Sequence, residues 1–592
     1  MSQEAVEFDY NRDSDNQSNI YPCYSIDNIK VPDSNSKNYS NGMIQFNSVK
    51  LGGTDPNTQY SLSKAKVDIP YTITLDAEGC TFTSDGTNVV LDNKYACSTK
   101  GFHNFIESST HKMGSTSLNE KVDNQNIIMN ENLKRMSYDE KLLYGTKLNY
   151  ELDNANSYRY SAQFGEYNNV VRPSANSNGK VDDVNHGHLA RMRATNNYYD
   201  TLSTDAISAF VSQEDITTSL YPCMIKNSGT QLVFTGFASI PLSEIHDCYK
   251  QMPSMSSINE FTMRLQTNLA QTNKWTIVYG NTVASSTPRT AGTAYDVKGI
   301  VANQSYGTTC PILVSNCGVA SSTGAGSSSL FGLTVFPNAV DTIFKVNVSC
   351  KIGYCDKTGA DTGQVCQLSI PSQLMNPVYT NKILEKGLFR MLYNEHATTW
   401  FLNRGGNSTI TEKIQGLFQR PRKLYVIAFL SKSMGVTSIG AHNVTDKMVS
   451  PYQSPVSSAP VTCSPCKLYD VNIRIGNKAI YGEPLKFSHE FYDEHVLESL
   501  GKINGNSVNN PFFTGLIDKS MWERCYQAYV FNISRSMNEL LDNEPKELYF
   551  SCKTLGLSGV KYDLLVVVEH QRQMTLNRAT GNFAIDNDIQ SN

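Results

Sequence analysis

Apolar and polar residues alternate in short runs along most of the chain. Val67, Ile69, Tyr71, Ile73 and Leu75 take every second position, which predicts a strand with one buried face. Phe261, Met263, Leu265, Thr267 and Leu269 repeat the pattern, as do Phe344, Val346, Val348 and Cys350, and again Val471, Ile473 and Ile475. Leu424–Leu430 is apolar without a break, as expected of a strand buried on both faces. Helical spacing is rarer. Met129, Leu133 and Met136 predict a short helix over 125–143, closed by Gly145. Ser488 is placed to cap a helix carrying Val496, Leu497 and Leu500 that Gly501 stops. Leu232–Ile240 reads as a strand ended by Pro241, followed by a short helix capped by Ser243.

The last part of the chain is the densest in strand signal. Trp522, Tyr526, Tyr529, Phe531 and Ile533, then Glu547–Cys552, Tyr562–Glu569 and Met574–Gly581, are aromatic and β-branched runs separated by polar turns. None of them carries a catalytic group, so they argue for a protein whose product is a surface or an assembly. Between the strands lie turns such as Gly52–Asn57 and a long polar excursion over 153–198. The stretch 315–329 (SNCGVASSTGAGSSS) predicts a flexible low-complexity loop. Residues 1–40, rich in Asn, Ser and Asp, predict a flexible N-terminal arm. Many short strands with few helices, in both halves of the chain, make the fold class all-β, with two sandwich domains.

Composition agrees. At 592 residues the chain has room for two or three domains. Charged residues are 18%, and there are 32 Tyr against 3 Trp. That balance suits sheets with polar loops and excludes a coiled coil or helical bundle, which needs Ala, Glu, Lys and Leu. A net charge of −4 lacks the overall basic excess of a dedicated nucleic-acid binder. MSQEAVEFDY has neither a basic nor an apolar leader region, so a signal peptide is not expected. No apolar run approaches the length of a transmembrane helix. The 14 Cys are then expected to be free, mostly buried thiols.

Several motifs tempt a chemical reading and lack the spacing for it. His246-Asp247-Cys248 places three reactive types in a row, but consecutive helical residues point about 100° apart and form no relay. His186-Gly-His188 offers two imidazoles and no further ligand; Cys463-Ser-Pro-Cys466 has no second pair. His489-Glu490 is followed by His495, six residues after His489 rather than four. Gly501-Lys502 lacks the rest of a phosphate loop, and Gly556-Leu-Ser-Gly559 lacks nucleophile-elbow spacing. Arg420-Pro-Arg-Lys423 is a local basic cluster that reads as the start of a strand, or as a contact for nucleic-acid phosphates. The glycosylation sequons at Asn407 and Asn443 carry no weight without a secretion signal. No catalytic, cofactor-binding or metal-ligating residue is therefore assigned.

The blocks Val67–Leu75, Phe237–Leu269, Cys310–Ser315, Val365–Pro371 with Met375–Tyr379, Arg420–Phe429 and, most closely, Trp522–Arg535, taken in order, resemble the major capsid proteins of virophages and polinton-like double-stranded DNA viruses. The resemblance implies a double jelly roll: a first jelly-roll domain over 41–360 with loop insertions, and a second over 361–592 opened by the Val365–Pro371 strand. It further implies a homotrimer whose six barrels form a pseudo-hexagonal tile. Such tiles cover an icosahedral shell around double-stranded DNA, in a virion assembled inside a host cell. The implied partners are copies of itself, penton (vertex) and minor capsid proteins, and packaged DNA through non-specific contact. Two other classes compete: a transient double jelly-roll scaffold of a viral membrane, and a carbohydrate-binding β-sandwich. The latter calls for clustered aromatic platforms and paired carboxylates in one cleft, and neither stands at a recognisable spacing.

Overall fold

The alternating segments pair into two sets of eight antiparallel strands in the computed structural model. The first set is β1 (Cys23–Pro32), β2 (Met43–Gly52), β3 (Lys66–Glu78), β4 (Ile106–Met113), β5 (Thr116–Ser117), β6 (Gln231–Pro241), β7 (Ser257–Thr267) and β8 (Gln367–Met375). The second is β9 (Leu388–Gly405), β10 (Thr409–Phe418), β11 (Pro421–Leu430), β12 (Lys467–Ile475), β13 (Lys478–Ala479), β14 (Tyr529–Asn532), β15 (Lys546–Leu555) and β16 (Lys561–Asn577). The structure describes residues 23–52, 57–82, 97–114, 116–118, 123–133, 147–149, 160–161, 166–167, 223–281, 293–303, 309–314, 317–320, 333–337, 343–353, 365–385, 387–431, 466–500, 529–534, 546–556 and 561–586. It also describes single positions 55, 455, 519 and 522.

In the first set the sheets run β1-β8-β3-β6 and β2-β7-β4-β5; the second set repeats both orders as β9-β16-β11-β14 and β10-β15-β12-β13. First strand beside last, with the chain passing repeatedly from one sheet to the other, is jelly-roll topology. The expected double jelly roll is therefore present. The first sheet grows to twelve strands, because Ile343–Ile352 pairs with the Tyr71–Glu78 end of β3 and brings Lys274–Asn281 and Thr293–Asn303 with it.

Each barrel closes around the predicted alternations. Val67, Ile69, Tyr71, Ile73 and Leu75 face Phe261, Met263 and Leu265 in the first core. Leu424, Val426, Val566 and Val568 face Ile473, Leu548 and Phe550 in the second. Each such side chain contributes roughly 1.5–3 kcal/mol by leaving water. Tyr71 lies over Gly236, its cross-strand partner, and a Cβ there would sit 2.3 Å from the Tyr71 ring. The missing side chain on β6 is thus the space that the tyrosine fills.

Several expectations need correction. β3 is buried on both faces, since Asp68, Pro70 and Thr72 are buried as well. Asp68 accepts hydroxyl hydrogen bonds from Ser239 and Ser369, both at 2.7 Å, and the Thr72 hydroxyl donates to the Gly353 carbonyl at 2.6 Å. Short polar side chains that satisfy one another across strands can cover a face without apolar periodicity.

The expected arm, 1–40, is strand from Cys23 onward, and residues 1–22 lie outside the described residues. Its polar composition suits an edge: among the described residues β1 pairs only with β8, and it is mostly exposed. Tyr39 is buried, and its hydroxyl accepts a hydrogen bond from the Cys366 N–H. The Val365–Pro371 block does not open the second barrel. It belongs to β8, which lies between β1 and β3 and closes the first. On this pairing we place the division not at 361 but in α2 (Pro377–Glu385), which joins β8 to β9.

Local details shift too. The helix expected over 125–143 is α1 (Gln125–Leu133), and 134–143 lie outside the described residues. Ser243 lies within the short helix Leu242–Ile245, whose N-cap is Pro241, without a side-chain cap. The second predicted helix is α3 (Ser488–Leu500). At its start the Glu490 carboxylate accepts the N–H groups of Lys486 and Phe487 at 2.6 and 2.8 Å. These bonds hold its pKa below the usual carboxylate range. Within 315–329, Cys317–Ala320 is strand, paired with Thr293–Asp296 and Leu333–Val335; 321–329 lie outside the described residues. Of 153–198, only Tyr160–Ser161 and Glu166–Tyr167 are described, as one short ladder.

Nine cysteines, Cys23 and eight buried ones, are free thiols. Burial pushes the Cys310 thiol up to about 12 and those of Cys248 and Cys350 well above the ordinary value. Little thiolate is present at neutral pH. A disulfide reagent at pH 7.5 is expected to react slowly with these thiols in native protein and to count close to 14 once the chain is unfolded. Several stable disulfides in the unfolded count would contradict this.

Candidate assembly site: the junction between the barrels

β11 explains how the barrels meet. Its alternate residues serve two different clusters. Leu424, Val426 and Ala428 point into the second barrel. Tyr425, Ile427 and Phe429 point outward, with Leu565 and Val567 of β16 and Val530 of β14. An outer sheet face this apolar needs a cover. The cover is α1 of the first barrel, whose Ile127 and Ile128 complete the cluster.

The other side of α1 is held by amides. Gln125 accepts from the Ser109 hydroxyl at 2.8 Å and donates to the Ile245 carbonyl. Asn126 donates to Thr309 at 2.7 Å, and Asn130 to Asn104 at 2.7 Å. His103 Nε2 lies 2.9 Å from Asn130 Oδ1. The Tyr425 hydroxyl crosses the junction to within 3.1 Å of Asn132 Oδ1. α1 is therefore a wedge, polar toward its own barrel and apolar toward the neighbour.

Beside the wedge lies a layer of buried ionisable groups. The 3-10 turn Asp247–Gln251 packs on β9, where Asp247 Oδ2 accepts the Asn394 N–H at 2.8 Å and Asp247 pairs with Lys250 at 3.1 Å. The His246 ring stands 5.2 Å from that of His111 and 5.8 Å from that of Tyr393. The Tyr249 hydroxyl is 2.8 Å from His111 Nδ1. Along β9 and β16, Glu395 meets Arg572 at 2.7 Å and His570 at 3.7 Å. Glu569 meets His396 and Lys423, both at 3.4 Å, and accepts from the Tyr425 hydroxyl at 3.1 Å. Desolvation, opposed by Asp247, brings His246 down to about 4; desolvation and the nearby Arg572 bring His570 to about 4 as well. His111 is lowered well below the ordinary value by burial and by His246. The C-terminal turn closes the same junction: the Arg578 carbonyl accepts both the N–H and the hydroxyl of Ser256, and the Ala579 carbonyl accepts the Ser257 hydroxyl.

The tempting motifs fall into this architecture or outside the described residues. His246-Asp247-Cys248 is a turn, not a relay: His246 Nδ1 accepts the Cys248 N–H at 3.2 Å, and the Cys248 thiol is buried with its pKa raised. Lys423 of the basic cluster pairs internally with Glu569, and Arg420 stands in a left-handed conformation with its carbonyl accepting the Gln571 N–H. Arg422 is exposed. The cluster is the start of a strand and not a concerted basic patch. The His489 ring stacks on Phe487 at 5.6 Å. Gly556 is packed against Tyr562. Asn407 is exposed in a turn, and Cys466 is buried. Trp522, Tyr529 and Phe531 are buried in the second core. His186, His188, Asn443, Cys463, Gly501, Lys502, Tyr526 and Gly559 lie outside the described residues. Among the described residues no group of three or more His, Cys, Asp or Glu could hold a metal, and no helix is long and apolar enough to cross a membrane. The sequence reading missed the α1 wedge and the histidine layer. The unbroken run in β11 was the available signal, because a strand buried on both faces needs a second partner.

No protein-family model and no curated protein matches the chain. Solved structures do. A chain of the cryo-EM structure of the Sputnik virophage matches with a TM-score of 0.50 at 11% identity, over 97% of this chain and 90% of that one. The crystal structure of the mavirus major capsid protein matches with a TM-score of 0.44 at 11% identity, over 96% and 93%. VP54 of PBCV-1, fitted into a reconstruction of Sputnik, matches with a TM-score of 0.35 at 8% identity, over 96% and 98%. At such identities a likeness speaks for fold, and of these three the Sputnik match carries it. With the two repeated strand orders, it makes this chain a double jelly roll of the architecture found in the Sputnik virophage structure.

Proposed function

We propose that the protein is a viral major capsid protein. The observation that carries this reading is the eight-strand order repeated in one chain, with likeness to a virophage structure along nearly the whole length. Two jelly rolls locked side by side by α1 form a broad rigid block with its short edges at the flanks. The connections inserted between strands leave the cores untouched and are free to carry surface contacts. The buried ionisable groups make ion pairs and hydrogen bonds with one another, an arrangement that serves structure and not turnover.

On this reading three copies close into a six-barrel tile. Closed threefold symmetry leaves no unpaired flank inside the tile. Tiles cover an icosahedral shell around double-stranded DNA, with penton and minor capsid proteins at the remaining positions, in a virion assembled in the host cell. Obligate interfaces typically bury about 2,000–5,000 Å², enough to persist on dilution. Mass photometry at nanomolar concentration is expected to show a dominant species near three times 65.7 kDa. A dominant species at the monomer mass would sink the trimeric capsomer.

A further inference from the structure

The two barrels share a helix in the same place. α1 lies between the fifth and sixth strands of the first set, and α3 lies between the fifth and sixth of the second. α1 covers the outer face of the second barrel's β9-β16-β11-β14 sheet. The corresponding sheet of the first barrel is β1-β8-β3-β6. In a ring built from alternating first and second barrels, every junction within a chain has a counterpart between chains. We propose that a second copy of this chain docks α3 on the outer face of the β1-β8-β3-β6 sheet, repeating between chains the contact that α1 makes within one. This inference rests on the trimeric reading and adds which surfaces meet.

The two faces carry complementary chemistry. α3 holds Glu490, Asp493, Glu494 and Glu498 and no Lys or Arg. Phe491 and Tyr492 bury against its own barrel, and Glu494 accepts the Asn532 N–H. His489 and Asp493 remain exposed, with Phe487 61% exposed at the helix start. On the sheet, cross-strand register puts Lys30 of β1 opposite Ser369 of β8, and Ser369 opposite Lys66 of β3. Directly opposed residues share a face, so the two exposed lysines stand in one row, two strand spacings or about 10 Å apart. Phe237, half-exposed on β6, lies on that same face. Exposed Asp493, with an aromatic at the helix start, thus meets two exposed lysines with an apolar neighbour, while Asp68 on the same face is buried and hydrogen-bonded to Ser239 and Ser369.

The difference in polarity between the two junctions fits their roles. The contact within a chain forms as the chain folds and is lined by Tyr, Ile, Phe, Val and Leu. A contact between chains must stay soluble before it forms, so charge complementarity takes over registry from apolar area.

A charge-swap cycle tests this by mass photometry over a dilution series, with melting temperature as the check on fold. Asp493→Lys alone, and Lys30→Glu with Lys66→Glu, are each expected to weaken the trimer at least tenfold at unchanged melting temperature. All three changes together are expected to restore most of the loss, and 0.5 M NaCl to narrow the differences. A wild-type trimer whose dilution profile is unmoved by either swap overturns this docking and leaves the capsomer reading standing. A wild-type monomer overturns both.

Discussion

Replacing Ile127 with Asp is expected to cost about 4 kcal/mol or more and to split the unfolding of the chain into separate barrel transitions. Ile127 is fully buried, and its neighbours across the junction are Tyr425, Ile427, Phe429, Leu565 and Val567. Removing a buried isoleucine side chain costs about 2–5 kcal/mol. A carboxylate in its place adds the penalty of an unpaired buried charge. The damage falls on a surface shared by two bodies that each keep their own core. Val566, by contrast, faces inward from β16, and Val566→Asp is expected to melt the second barrel itself. Ile127→Val, which keeps the shape, is expected to cost about 0.5–1.5 kcal/mol. Urea denaturation followed by intrinsic fluorescence separates these outcomes. Trp275 reports on the first core and Trp522 on the second. Coincident transitions at the wild-type midpoint in Ile127→Asp would show that α1 does not hold the barrels together.

The β-strands were legible because their burial is periodic. Val67 to Leu75 and Phe261 to Leu265 could be read at once, since one face of each meets a core. The continuous run in β11 was legible for the same reason, applied to both faces. What escaped depends on partners far away in sequence. Residues 23–32 look like a tail because an edge strand needs few apolar residues, and only pairing with β8, more than 300 residues on, makes them strand. The Val365–Pro371 strand opens the second barrel on the resemblance, whereas its pairing with β1 and β3 places it in the first, because partners distant in sequence decide membership. α1 was found but its role was not. Its buried polar face consists of Gln125, Asn126 and Asn130, which read as solvent-facing until Ser109, Thr309 and Asn104 are brought against them. The same applies to His111, His246 and His570. Each is unremarkable in sequence and acquires its altered protonation from burial and from charged neighbours, His246 beside His111 and Arg572 beside His570.

Acidification from pH 7.5 to 4.5 is expected to loosen the junction before the carboxylates titrate. His246 and His570 are held near 4 in the folded protein, against about 6.5 in an unfolded chain. A histidine with a depressed folded pKa contributes stability that is fully present above about 6.5. That stability is lost as the pH falls through the interval down to about 4, because the unfolded chain takes up the proton first. Each group then accounts for up to about 3 kcal/mol across that interval, and His111, also lowered, acts in the same direction. The groups facing them do not reverse the sign. His246 meets Asp247 and Lys250 on its own turn, His111 from β4, and Tyr393 and His396 from β9. His570 meets Glu395 from β9, Arg572 and Glu569 on its own strand, and the Phe418 ring from β10. Glu395 and Glu569 are already engaged by Arg572 and Lys423, so they offer a newly formed imidazolium little beyond what those cations already use. Urea midpoints measured at steps of half a pH unit are expected to fall steeply below pH 6.5, with close to one proton taken up on unfolding for each buried histidine. His246→Asn keeps an acceptor for the Cys248 N–H in place of Nδ1. It is expected to start less stable at pH 7.5 and to lose less on acidification, so that its curve converges on the wild type near pH 4.5. Parallel curves for the two proteins would mean that His246 is not one of the groups through which acid acts.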